Sequence, residues 1–167
     1  MRWEKLFADL EGIVGDEALT ERDALVTELR DGERAATRWQ QLAGGGVSLE
    51  VAGVGRIDGT VQSGNDQVIH VLTDRAHMLV NPVALMAVLG ASQRAEKPTV
   101  VSSKLGWPYV FRLLQRDQDR VQVCRTDSTS RAGRVVLVGA DFVQIRDEAG
   151  NAPMIPYSAI AVVSCSR

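Results

Sequence analysis

From Arg131 to Val163 the chain reads RAGRVVLVGADFVQIRDEAGNAPMIPYSAIAVV, four short apolar runs separated by turn signals. The separators are Gly139 to Asp141, Glu148 to Asn151, and the prolines Pro153 and Pro156. Gly133, Val135 and Leu137 alternate with Arg134, and Val143 and Ile145 alternate with Gln144 and Arg146. A period of two marks half-buried strands. The stretch therefore predicts a compact antiparallel meander whose inward faces fill a small barrel.

The same pattern occurs earlier in the chain. A gapless shift of 74 residues lays Val47 on Val121, Gly59 on Gly133, Val61 on Val135, Ile69 on Val143 and Val71 on Ile145. It also lays Pro82 on Pro156, and Met86 to Val88 on Ile160 to Val162. Glycine, proline and apolar phase fall in step together, which points to an internal duplication. The similar turns Gly64-Asn65-Asp66 and Gly139-Ala140-Asp141 are offset by 75, which places a compensating shift there.

Each copy reads as five strands, over 47–53, 56–63, 67–73, 76–81 and 84–89, and again over 120–126, 131–138, 141–147, 152–156 and 158–164. Asn81-Pro82 marks a strand break, because proline has no ladder donor. A short helix is expected from Lys104 to Asp117, with Pro108 in its first turn and Tyr109, Val110, Leu113 and Leu114 as its apolar face. At the front, Trp3, Leu6, Phe7 and Leu10 have helical spacing, and a longer helix follows from Asp16 until Gly44-Gly45-Gly46 ends it. Trp3 and Trp39 are read as packing residues. The expected organisation is a helical arm over 1–43, a first barrel over 44–90, a linker over 91–103, and a helix plus second barrel over 104–167. The fold class is mainly β with α: two tandem five-stranded small barrels, each preceded by a helix.

Composition adds limits. Hydrophobic residues make up 45% of the 167, enough for a sizeable core. No apolar run approaches the roughly 20 residues that span a bilayer, and the start, MRWEKLFADLE, lacks the apolar region of a secretory signal. No membrane partner is expected, and the cytoplasm is the expected compartment. Cys124 and Cys165 are too few for a disulfide scaffold and have no metal spacing. They fall in the first and last strands of the second copy, which become neighbours if that barrel closes. Charge is uneven. Residues 1–43 carry 6 basic and 10 acidic side chains, residues 44–90 carry 2 and 4, and residues 91–167 carry 11 and 7. The whole lacks the basic excess of a dedicated nucleic-acid binder.

A helix followed by a bent five-stranded barrel resembles the Sm-like superfamily, which includes the bacterial Hfq proteins. The resemblance lies in GTVQSGNDQVIHV (Gly59 to Val71), PVALMAV (Pro82 to Val88) and PYSAIAVV (Pro156 to Val163). The arrangement also resembles a group of uncharacterised bacterial two-barrel proteins. The resemblance implies barrels that form rings through their edge strands, and an RNA pocket built on an aspartate and an asparagine four residues later. Asp66 stands at the aspartate position and His70 at the asparagine position. In the second copy Asp141 and Ile145 stand there, and isoleucine cannot hydrogen-bond a base. Asn81-Pro82 and Ile155-Pro156 replace the family's arginine–glycine pair.

Other chemistry is sparse. His70 and His77 are the only histidines, with no acid or cysteine at ligand spacing, so no metal is expected. No nucleophile elbow and no phosphate loop are present. Gly53-Val54-Gly55 lacks the third glycine of a dinucleotide loop, with Asp58 in its place. Asp66 and Asp141 suit turn closure through their own side chains. No cofactor, small-molecule substrate or enzymatic activity is expected. Arg112, Arg116, Arg120, Arg125, Arg131 and Arg134 cluster in sequence and suit either a solvated face or phosphate tracking. The leading expectation is a non-enzymatic binding or assembly module that self-associates. The alternative is an RNA-binding regulatory protein using Asp66, His70, Arg112, Arg116, Arg125, Arg131 and Arg134.

Overall fold

The structure is a computed structural model and describes residues 22–29, 45–91 and 106–165. The chain divides into two compact units, Met1–Arg38 and Trp39–Arg167. In the first, residues 22–29 form helix α1. Thr27 Oγ1 donates to the Asp23 carbonyl at 2.9 Å, and Leu25, Val26 and Leu29 are exposed. The rest of the expected arm, with Trp3 and Trp39, lies outside the described residues, as does the 91–103 linker beyond Ala91.

Among the described residues, the second unit is built on ten strands. These are β1 (Gly46–Val51), β2 (Gly55–Gly64), β3 (Ile69–Leu72), β4 (His77–Val80), β5 (Leu85–Leu89), β6 (Arg120–Arg125), β7 (Ser130–Val138), β8 (Phe142–Arg146), β9 (Met154–Pro156) and β10 (Ile160–Cys165). Helix α2 (Trp107–Asp117) precedes β6. All ten expected strands are found, with ends moved by a few residues. They form one continuous antiparallel sheet in the order β5-β1-β2-β3-β4-β10-β6-β7-β8-β9, and it is not closed. Each set of five has its last strand beside its first: β5 beside β1, and β10 beside β6.

The registers of the two halves coincide. Val47 faces Gly59 and Val121 faces Gly133, while Val61 faces Val71 and Val135 faces Ile145. Two bulges also recur. One lies between Val61 and Ser63 and between Val135 and Leu137, and the other between Leu85 and Ala87 and between Ile160 and Val162. Bulges bend a strand and increase its twist, so the halves curl alike. The one-residue shift is not at the Gly64 and Gly139 turns. Those turns correspond at 74, since the Asn65 N–H donates to Val68 and the Gly139 N–H to Phe142. The extra residue lies in the 147–151 turn, where Gly150 has φ 86° and Asp147 accepts from the Asn151 N–H at 2.8 Å. Beyond it the offset is 75. The 3-10 turn Pro82–Ala84 thus matches Tyr157–Ala159, and Pro156 takes the place of Asn81, not Pro82.

Alternation produces two cores. Val47, Leu49, Val51, Ile57, Ile69, Val71 and Val80 fill one, and Val121, Val123, Val135, Val143, Ile145 and Ile155 fill the other. Strand β10 serves both, giving Ala161 and Val162 to the first and Ile160 and Val163 to the second. Helix α2 covers the second core with Trp107, Val110, Phe111 and Leu114, and Tyr109 is exposed. The expected face of Tyr109 and Leu113 is therefore rotated. The buried set has the i, i+3, i+4, i+7 spacing of one helical stripe. Cys124 and Cys165 are free thiols on adjacent strands, but Cys124 packs against the first core and Cys165 against the second.

Gly59 and Gly133 sit where a bent strand crosses its neighbour. A Cβ on Gly59 would lie 2.6 Å from the Leu72 carbonyl oxygen, and one on Gly133 would fall on the Arg146 carbonyl oxygen. Backbone cannot step aside cheaply. Gly133→Ala is expected to destabilise the fold by about 2–3 kcal/mol, as forced overpacking does, read as a lower urea midpoint.

Candidate functional site

Strands of the two halves pair at a seam, where β4 lies beside β10. Val80 faces Val162, Leu79 faces Val163, Met78 faces Ser164 and His77 faces Cys165. Asn81 fastens its upper end. It is 4% exposed, the one buried polar residue described. Its Nδ2 donates to the carbonyls of Tyr157 at 3.1 Å and Ile160 at 2.9 Å. Its Oδ1 accepts from the Val83 N–H, and its own N–H donates to Ala161. Every hydrogen-bonding atom of the side chain is thus used, as burial requires. The Tyr157 ring stacks on Phe111 with centroids 5.8 Å apart, Phe111 stacks on Trp107 at 5.7 Å, and Tyr157 Oη donates to Gly139. The seam is therefore anchored to the helix-covered core.

Among the described residues, two strands of the sheet have an open edge. At one end lies β5, LMAVL, without a charge. Met86 is 72% exposed, Leu89 is exposed, and Val83 just before the strand is 80% exposed. At the other end lies β9, MIP, where Met154 is 65% exposed. Unblocked edges are templates for pairing.

The residues singled out from sequence do not form one surface. Asp66 is exposed in the β2–β3 turn and lines a cleft of about 410 Å³ with Asn81, Trp107 and Tyr157; His70 is not part of it. In the same turn Asn65 Oδ1 accepts from the N–H groups of Gln67 and Val68. Asp141 contributes its backbone carbonyl to the Tyr157 N–H. Arg116 pairs with Asp117, Arg125 with Asp127 and Thr129, and Arg131 with Asp147. Arg112 is exposed on α2, where its charge reaches Tyr157. Arg131 and Arg134, three apart on one strand, point to opposite faces. What the sequence reading missed is the role of Asn81, because its partners lie 76 and 79 residues away.

His70 on β3 and His77 on β4 are hydrogen-bonded, Nε2 to Nδ1, at 3.0 Å. Burial, and then the neighbouring His77, hold His70 below the ordinary imidazole value of 6.5. On the β10 side His77 faces Cys165, whose thiol burial and then the Asp119 charge push upward. The unfolded chain takes up a proton near 6.5, before the folded chain does. Stability is thus present above that value and is lost as pH falls from it through the depressed folded value. Burial and arginine or hydroxyl partners do not act alike here: hydrogen bonds hold Asp58, Asp117 and Asp127 below 3.8, so their contributions fade only at lower pH. The expected result is a lower melting temperature at pH 5 than at pH 7.5, with the drop diminished in His70→Gln. An unchanged drop in that variant would assign it elsewhere.

Among the described residues no group of three or more His, Cys, Asp or Glu can hold a metal ion, and no helix is long and apolar enough to cross a membrane. Compared with known proteins, the chain matches no protein-family model and no curated protein.

Proposed function

We propose that the chain is a non-enzymatic assembly module: two Sm-like barrels, copied from one unit, that associate with further copies through their open edges. The seam carries the reading. By the corresponding registers, β9 is the counterpart of β4 and β10 is the counterpart of β5. The contact β4–β10 inside one chain is therefore the template for a contact between β9 of one copy and β5 of the next. Side chains exposed at the edges occupy places that the seam buries. Met86 stands where Ala161 is 0% exposed, and Met154 stands where Leu79 is half-buried. Such a contact joins unlike surfaces, so it propagates head to tail, as a ring if the rotation closes and as a filament otherwise.

The contact between copies is weaker than the seam. Pro156 replaces Asn81, which removes both the backbone donor and the side-chain bonds, and β9 is only three residues long. Association is thus reversible and concentration-dependent. Light scattering across a hundredfold range of concentration tests it. A mass that rises in steps of the chain mass of 18.1 kDa is expected. A strict monomer throughout would overturn the reading.

A further inference from the structure

Three arginines lie directly opposite one another on successive strands: Arg120 on β6 faces Arg134 on β7, which faces Arg146 on β8. Directly opposed residues project to the same face of a sheet, and like charges in that position destabilise it. All three are exposed, and they line a cleft of about 740 Å³ together with Gln115 and Gln118 of α2 and Glu148 of the following turn. The wall facing them is fixed, because Gln115 Nε2 donates to the Val136 carbonyl and Gln118 Nε2 to the Gln115 carbonyl.

The charges in this cleft do not cancel. Glu148 pairs with Arg120. The Asp147 carboxylate is engaged by Arg131 at 3.4 Å and by the Asn151 N–H. Among the described residues, neither Arg134 nor Arg146 has an ion pair or a side-chain hydrogen bond. Two adjacent guanidinium groups are thus left with their donors free, on strands about 5 Å apart. Arginine forks match phosphate oxygens bidentately. The separation suits neighbouring phosphate groups of one molecule. The volume falls within the roughly 300–1,000 Å³ of small-molecule sites. Among the described residues no aromatic side chain lines the cleft, whereas grooves for single-stranded nucleic acid stack bases on aromatics.

We propose that this cleft binds a small anion carrying at least two linked phosphate groups, held by Arg134 and Arg146, with Arg120 as a third donor once the ligand displaces Glu148. The site is separate from both sheet edges and does not depend on assembly. Inorganic tripolyphosphate is the probe, titrated into the full chain by calorimetry at low salt. One site per chain is expected, and binding should weaken with added salt. The double variant Arg134→Gln, Arg146→Gln should lose about 100-fold in affinity, from the loss of two charge-assisted contacts. Arg116→Gln, outside the cleft, should bind as the parent does. Glu148→Gln touches only an exposed pair and removes the internal competitor, so it should bind several-fold tighter; this variant decides the matter if the double variant does not fold. Absence of tripolyphosphate binding at low salt would overturn the proposal, as would equal affinity in parent and double variant. So would a single-stranded RNA oligonucleotide that displaces the probe at equal phosphate concentration, which would make the cleft a nucleic-acid face.

Discussion

Asn81→Ala is expected to lower the stability of the fold by about 3 kcal/mol, among the largest effects of any single polar substitution. The side chain is 4% exposed and makes three hydrogen bonds. Alanine removes all three. The half-buried carbonyl of Tyr157 and the buried carbonyl of Ile160 then lose their donor, and an unsatisfied buried group costs about 1–3 kcal/mol. The loss falls on the seam that pairs a strand of each half, so its reading is a urea midpoint shifted downward for both halves together. Asn81→Asp is the sharper comparison. It keeps the size and keeps the acceptor for the Val83 N–H, but it points a carboxylate at two carbonyl oxygens. It should be at least as damaging as alanine, and rescue on acidification should be partial, because a protonated acid supplies one donor where the amide supplies two. A shift of under about 1 kcal/mol in both variants would mean that strand pairing alone holds the seam.

The consequence of Asn81 was not legible in its neighbourhood. Asn81-Pro82 correctly marks the end of a strand, since β4 stops at Val80 and a 3-10 turn begins at Pro82. A strand break needs only local chemistry. The identity of the asparagine is set instead by carbonyls near the far end of the chain, which no local pattern reports. The strands themselves were readable because side chains alternate in period two, and that period survives whichever neighbour a strand pairs with. Which strand pairs with which was only half readable. The pairing of consecutive strands from β1 to β4 and from β6 to β9 is that of the meander read in the sequence, but the pairing of β4 with β10 joins the halves into one sheet through a contact with no sequence signature. The arginines show the opposite case. Their strand positions already separated Arg131 from Arg134, and the shift of 74 already aligned the strands that carry Arg120, Arg134 and Arg146 with those of the first half. Sequence proximity was the weaker guide, grouping residues that alternation sends to different faces. On α2 the error was one of phase: choosing Tyr109 and Leu113 left out Trp107 and Phe111, the larger side chains on the true stripe.

Val88→Pro is expected to abolish association of copies while the chain still folds, at the cost of part of the Val88 packing on the first core. In the seam, the Asn81 N–H donates to Ala161, so Ala161 and, by alternation, Val163 direct their backbone toward β4. Their counterparts Met86 and Val88 therefore direct theirs to the open side of β5, while Ala87 and Leu89 turn toward β1. Proline at 88 removes a donor that β1 does not use and places its ring on the open edge, the situation in which strands tolerate proline. Met86→Lys reaches the same surface through its side chain. Burial of a methionine contributes about 1.5–3 kcal/mol, so its loss, with a charge added, weakens association by roughly 10- to 100-fold. Met154→Lys tests the opposite edge, and its effect should overlap with that of Met86→Lys if the two side chains meet in one interface. Leu137→Lys is the control, an exposed apolar residue on β7, away from either edge. Light scattering should give monomers for Val88→Pro at concentrations where the parent and Leu137→Lys associate. Association that survives both Val88→Pro and Met154→Lys would mean that copies meet through another surface.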